Sequence, residues 1–285
     1  MVIDTHCHVW RIESLRRAWR APDKIYRTLR VSDVLSSAKG VPLAGLVLIE
    51  AGMTDDDNRW LAAVASRNPE VLGFVTYADP LDPRLEKRLD GWRKATKFRG
   101  VRFRLEGIHP ASFPTTQRFK DALALVRDRN LVVELLIKPH HMRSLAGALD
   151  KVQGVKAVID HLAKPSMNGG SSSAQHTTWE QGMRALAESP STICKVSLSA
   201  PADELENQPS ITSRFNDVRV IGTYMRHALK QFGASRCCWG SDWPLSSLVA
   251  SYESVLLTAR TALQPLDARD EAAVFHDTAR KAYSL

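Results

Sequence analysis

Apolar residues along the chain gather into eight short runs. Longer stretches between them carry apolar residues every three or four positions. The runs are Val2–His8, Leu43–Ala51 (LAGLVLIEA), Val71–Asp79 (VLGFVTYAD), Lys97–Phe103 (KFRGVRF), Leu131–Ile137 (LVVELLI), Val155–His161 (VKAVIDH), Ile193–Ser199 (ICKVSLS) and Arg236–Asp242 (RCCWGSD). Each is about a strand long and rich in β-branched or aromatic residues. The gaps suit amphipathic helices. Asp57–Arg67 places Trp60, Leu61 and Val64 at helical spacing, and Gln117–Arg129 does the same with Phe119, Leu123 and Val126. His141–Val152, Trp179–Glu188 and the stretch Ser210–Phe232 read likewise.

Strands alternating with helices imply parallel pairing. Eight such units in 285 residues predict an α/β fold, a single (β/α)8 TIM barrel spanning 1–285, since such barrels take roughly 250 residues plus insertions. A doubly wound open sheet is the rival, but no glycine-rich phosphate loop follows the first strand. The run Met167–Ala174 (MNGGSSSA) is the one low-complexity segment. In a barrel it lies on the face that carries the active site, as do the loops Asp23–Leu35 and Ala200–Pro209.

Composition narrows the class. Lys+Arg number 39 and Asp+Glu 31, a formal charge of +8. Acids and bases are interleaved, as in Glu86-Lys87-Arg88-Leu89-Asp90. Without a basic block, this charge favours a solvated surface or an anion-attracting barrel mouth over nucleic-acid binding. The four cysteines (Cys7, Cys194, Cys237 and Cys238) form no Cys-x-x-Cys pair, which suits reduced thiols in the cytoplasm. No apolar stretch reaches the roughly 18 residues of a membrane span, and no signal peptide precedes the first strand.

Alternate residues of a strand share a face, so His6 and His8 project together at the carboxyl end of the first strand. That spacing suits one metal ion, zinc above all. Cys7 then points into packing. Asp242 closes the eighth strand, where a carboxylate can ligate a metal and take a proton from water; the alternative is a cap on the next helix. His161 ends the sixth strand, as a third imidazole or a hydrogen-bond donor to a substrate carbonyl. Asp160, one residue earlier, is expected to point away. Arg102 and Arg104 share a face of the fourth strand, placed to clamp a substrate carboxylate or to pair with a neighbouring strand. Glu50 can bind sugar hydroxyls or an arginine, and Lys164 an anionic group. Trp10 and Trp243 are either an apolar wall at the mouth or core. His140 and His141 start a helix-like run and read as an exposed loop, a rival metal position.

The segments IDTHCHVW, DHLAKP and WGSDWP, in this order, resemble the amidohydrolase-related branch that contains L-fuconolactonases and 2-pyrone-4,6-dicarboxylate lactonase. The resemblance covers nearly the whole chain, including VLIEAG, GFVTYADPLDP and FRGVRFRL. It implies a barrel that hydrolyses a small cyclic ester. His6, His8, His161 and Asp242 match the family's metal or carbonyl-binding positions, with Asp242 as the base. Arg102 or Arg104 falls where an anionic substrate group is held; Glu50, Lys164 and Trp243 complete the substrate-binding set read from the residues themselves. Glu134 and Lys138 occupy the stretch where a fifth-strand histidine is found in relatives, and no lysine ends the fourth strand to bridge two ions. The resemblance therefore implies one divalent ion (Zn or Mn), or metal-free catalysis by the same histidines. The first strand opens at Val2, so no additional N-terminal β-sandwich is expected.

The reading is a lactone-opening hydrolase acting on a small anionic or polyhydroxylated substrate. A homodimer is compatible with it; a nucleic-acid or membrane partner is not expected. A metal-dependent decarboxylase, an amide hydrolase, or a non-catalytic binding protein on the same barrel are the alternatives.

Overall fold

Each apolar run forms a strand, and the strands pair in sequence order. The computed structural model describes residues 1–18, 23–107, 109–166, 173–197 and 217–285. Its strands are β1 Val2–Cys7, β2 Leu43–Ile49, β3 Val71–Tyr77, β4 Phe98–Arg104, β5 Val132–Leu136, β6 Lys156–Ile159, β7 Thr192–Lys195 and β8 Cys237–Cys238. All neighbours are parallel, in the order β1 to β8. Just past the short β8 the chain rejoins β1. Thr5 N–H donates to Trp239 O (3.2 Å), Asp242 N–H to His6 O (2.8 Å) and His8 N–H to Trp243 O (2.7 Å), closing a (β/α)8 barrel.

Two apolar layers follow from strand alternation. Outward residues such as Leu46, Leu48, Val101, Phe103, Val133 and Leu135 pack under the helices. Inward residues Val47, Ile49, Val75, Val132 and Val158 form a second cluster inside the barrel, joined by Ala282 and Tyr283 from the carboxyl-terminal helix Thr278–Tyr283. The helices Asp55–Arg67, Gln117–Asp128, Met142–Lys151 and Val218–Phe232 occupy the predicted gaps. The helix expected at Trp179–Glu188 starts earlier, at Ala174, because the Ser173 side chain caps it by accepting from His176 N–H.

Strands β6 and β8 end earlier than their apolar runs. His161 and Asp242 have φ of 50° and 56°, left-handed backbone that cannot continue a ladder. Within Asp23–Leu35, read as a loop, a 3₁₀ turn at Asp23–Ile25 and a helix beginning at Val31 are found. Most of Met167–Ala174 and all of Ala200–Pro209 lie outside the described residues. Among the described residues no helix is long and apolar enough to cross a membrane.

Candidate active site

The polar site stands above the inner apolar cluster, at the carboxyl ends of the strands. β1 supplies Asp4, His6 and His8, all buried, while Cys7 faces the outer core. Asp4 anchors the seam between β1 and β8. Its carboxylate accepts from His6 N–H (3.0 Å), Ser241 N–H (2.9 Å), Ser241 Oγ–H (2.6 Å) and Tyr252 O–H (2.9 Å). These four donors fix the backbone that carries His6 on one side and Asp242 on the other.

Asp242 is the point of convergence. Its Oδ1 lies 3.8 Å from His6 Nε2, 3.5 Å from His8 Nε2 and 3.8 Å from His161 Nε2. The structure thus brings together the four residues that the sequence singled out. Ring orientations are held from behind. His8 Nδ1 is 3.0 Å from the Ile49 carbonyl, an acceptor only, so Nδ1 carries the proton and Nε2 offers its lone pair. His161 Nδ1 is 2.9 Å from Ser197 Oγ. Burial holds His161 neutral, pushing its pKa down to about 3. Burial, then the neighbouring charge of Lys195, keeps His6 well below the usual imidazole range.

Asp160 corrects the sequence expectation. It lies inside the barrel, fully buried, with its Oδ2 2.8 Å from Arg102 Nε. Strand alternation explains this: Ala157 and Ile159 face the outer core, so Val158 and Asp160 face inward. His161 enters the site by a different device. Residues His161, Leu162, Ala163 and Lys164 all have φ between 49° and 58°, and this turn swings the imidazole back over the barrel. Left-handed backbone costs roughly 1–2 kcal/mol per non-glycine residue. Trp179 Nε1–H bonds the Leu162 carbonyl at 2.6 Å and helps hold the turn.

The arginines are occupied. Arg102, buried, pairs with Asp160 and lies 3.6 Å from Glu50 Oε1; Arg104 Nε donates to Glu50 Oε1 at 2.7 Å. Burial raises the Glu50 pKa, but Arg104 and Arg102 outweigh it and leave the carboxylate ionised. Asp57, behind Glu50, accepts from Ala51 N–H and Gly52 N–H and fixes the turn after β2. A Cβ at Gly52 would lie 2.8 Å from Asp57 Cγ, so the turn requires glycine. Lys164 pairs with Glu106 at 2.6 Å. Trp243 and Trp10 are buried in the main core, and Trp10 Nε1–H bonds Arg27 O.

The exposed-loop reading of His140-His141 holds for His140 alone. Pro139 opens a 3₁₀ turn that folds His141 into the interior. There its Nδ1 accepts from Lys138 N–H and its Nε2 lies 2.9 Å from His109 O, away from Asp242.

Sequence reasoning gave no site role to Glu134 or Lys195. Glu134 on β5 and Lys195 on β7 are both fully buried, 2.9 Å apart. Tyr283 O–H donates to Glu134 Oε1 at 2.6 Å. The available signal was one charged residue inside an apolar strand, in LVVELLI and ICKVSLS.

Imidazoles from β1 and after β6, facing an aspartate after β8 on a closed parallel barrel, define a (β/α)8 barrel with a histidine–aspartate site at the carboxyl ends of its strands. This chain belongs to the Amidohydrolase family (Amidohydro_2), which matches residues 3–285. It is 30% identical to an L-fucono-1,5-lactonase of Burkholderia ambifaria over 254 residues, covering 88% of this chain and 82% of that protein. Two solved structures share the fold. One is an amidohydrolase from Burkholderia multivorans with bound zinc (TM-score 0.87, 24% identity, 100% and 99% of the two chains). The other is a probable 2-pyrone-4,6-dicarboxylic acid hydrolase from Acinetobacter baumannii with citric acid bound (TM-score 0.77, 18% identity, 100% and 99%).

Proposed function

We propose that the protein opens a small lactone by adding water to its ester carbonyl, with Asp242 as the general base. The observation that carries this reading is the convergence of three imidazole Nε2 atoms on one carboxylate oxygen, at 3.5–3.8 Å. Asp242 takes a proton from water as the oxygen attacks the carbonyl carbon. The negative charge on the former carbonyl oxygen is met by imidazole N–H groups in a site shielded from solvent. Collapse of the tetrahedral adduct expels the ring oxygen, and the proton on Asp242 passes to it. The product is the open hydroxy acid.

The donor set fits a divalent ion. Ligand atoms about 2.1 Å from a tetrahedral ion stand about 3.4 Å apart, close to the spacing around Asp242 Oδ1. Ligand atoms of His6, His161 and Asp242 all lie within 4.8 Å of one another, with His8 on the same oxygen; these residues would hold the ion. Bound there, a divalent ion would polarise the carbonyl and make water more acidic.

The charges support a neutral, polyhydroxylated lactone. Arg102, Arg104, Lys164 and Lys195 face Asp160, Glu50, Glu106 and Glu134 respectively. Among the described residues these four cations are already matched by four carboxylates. A pyrone dicarboxylate, or a decarboxylase substrate held by arginine, would have to break a pair. Glu50, whose buried Oε2 has no hydrogen-bond partner among the described residues, can accept from a sugar hydroxyl. The test is a panel of sugar 1,4- and 1,5-lactones and pyrone carboxylates, assayed by acid release with and without added Zn²⁺ or Mn²⁺. Turnover of sugar lactones is expected; no ring opening of any member defeats the reading.

A further inference from the structure

Inside the barrel a second ligand group lies next to the first: His6, Glu134 and Asp160, with ligand atoms within 4.8 Å of one another. Its centre is filled by a side chain of the protein. Lys195 Nζ is 2.9 Å from His6 Nδ1, 2.9 Å from Glu134 Oε2 and 3.3 Å from Asp160 Oδ1. The lysine is fully buried at the end of β7, and its amine stands where a cation shared by those three groups would stand.

An ammonium has three N–H donors and no lone pair. Two carboxylates and one imidazole nitrogen around it are three acceptors. At 2.9 Å from the ammonium, His6 Nδ1 accepts a hydrogen bond from Lys195 and carries no hydrogen of its own. The competing arrangement has Nδ1–H donating to a carboxylate. That requires distances of 3.5 Å to Asp160 Oδ1 or 3.7 Å to Glu134 Oε2, both beyond a good N–H···O bond and longer than the Lys195 contact. A neutral imidazole that accepts at Nδ1 carries its hydrogen on Nε2, the nitrogen aimed at Asp242. His6 Nε2 is buried and has no hydrogen-bond partner among the described residues.

We propose that Lys195 is a positioning residue that makes His6, in the metal-free site, a hydrogen-bond donor toward the substrate carbonyl and so weakens it as a ligand for the ion. His8 is set the opposite way by the Ile49 carbonyl, so the two histidines of one strand present opposite faces: His6 an N–H, His8 a lone pair. Loading a divalent ion on His6 then requires its proton to leave Nε2, and Lys195 opposes this. Lys195 also fills the second cation place, which confines the barrel to one ion at most.

The wild-type protein provides the first test, without any variant that must fold. In metal-free protein with ¹⁵N-labelled histidine, two-bond ¹H–¹⁵N correlations report the tautomer of each ring, with His6 assigned by difference against His6→Gln. The expected pattern is Nε2–H for His6; an Nδ1–H pattern overturns the proposal. Lys195→Met is the second test. Without the donor, His6 is free to turn its Nδ1–H toward Asp160 or Glu134, the arrangement usual for zinc-bound histidine. Titration with zinc alone should show tighter binding by about 10- to 100-fold, and Lys195→Arg should restore the weaker affinity. Unchanged zinc affinity in a folded Lys195→Met protein removes Lys195 from this role. The inference rests on the hydrolase reading only for the use made of the N–H. A chain that opens no lactone yet shows the Nε2–H tautomer would lose that reading and keep this one.

Discussion

Arg102 Nε lies 2.8 Å from Asp160 Oδ2, with both side chains sealed from solvent. A guanidinium on the fourth strand of such a barrel invites assignment to a substrate carboxylate. Here it already has one, and Glu50 stands 3.6 Å away as a second. Burial pushes the Asp160 pKa up, but Arg102 and Lys195 outweigh it and hold the carboxyl well below its usual range. Arg102 is thereby part of the wall that shapes the site.

Replacing Arg102 by Met should therefore unfold the protein more readily. Removing one partner of a buried pair leaves an uncompensated charge, a cost of about 3–5 kcal/mol. Arg104 is a contrast, with its side chain 17% exposed toward the mouth. Arg104→Met should cost less stability and act mainly on KM for the lactone. Urea unfolding curves of the two variants beside the wild type check the order. Equal, small losses for both would return Arg102 to the substrate.

Asp242 combines a chemical role with a backbone demand. Asn keeps the shape and tolerates φ of 56° better than most residues, but it cannot take a proton. Asp242→Asn should lower kcat by about 10²- to 10⁴-fold, the usual contribution of a general base, with an unchanged unfolding midpoint. Asp242→Ala should lose activity similarly and also lose stability, because alanine fits that backbone less well. Steady-state kinetics paired with thermal melts separate the two effects.

The legible part of this site is the part that obeys strand alternation. His6 and His8 in THCH face one way because β1 is an extended strand, and Cys7 between them goes to the outer core. Arg102 and Arg104 share the inner face for the same reason. The sixth strand departs from this simple picture. Counted from Val158, the inward residue is Asp160, and His161 reaches the site through a left-handed turn that nothing in DHLAKP announces. Glycine marks such turns in most sequences; here four non-glycine residues make one. Lys195 and Glu134 were hidden for another reason. A lone charge in an apolar strand has meaning only once the barrel closes and shows which opposite charge it meets. Glu134 on β5 and Lys195 on β7 are 61 residues apart in sequence and 2.9 Å apart in space.

Gly240 lies where the seam between β8 and β1 is tightest. A Cβ there would sit 2.6 Å from His6 Cβ and 3.0 Å from His6 N. One of these atoms is backbone, so His6 could not simply rotate away. Gly240→Ala should push β1 off the segment that carries Asp242, costing about 1–3 kcal/mol as overpacking does. Because the displaced residue is His6, kcat should fall as well. A variant that melts like wild type and retains full activity would show that the seam has room.

Acid should destabilise the metal-free protein, and the sign can be worked out group by group. His161, pushed down to about 3 by burial, and His6, also lowered by burial, stay neutral in the folded chain. In the unfolded chain both titrate near 6.5. Below that pH the unfolded state takes up two protons there that the folded state refuses. Glu134 works in the opposite direction. Burial raises it to about 7 from 4.5, so between those values the folded state holds one proton that the unfolded state has released. The balance for these three groups is one proton more on the unfolded chain. Stability should therefore rise with pH through the window from about 4.5 to 6.5, by about 1.4 kcal/mol per pH unit. Urea midpoints measured at pH 7, 6 and 5 would show the fall on acidification. Substituting His161 by Gln should flatten the dependence, since that histidine supplies one of the two opposing protons. A midpoint that stays level from pH 7 to 5 in the wild type would mean that the imidazoles around Asp242 are not held neutral by the fold.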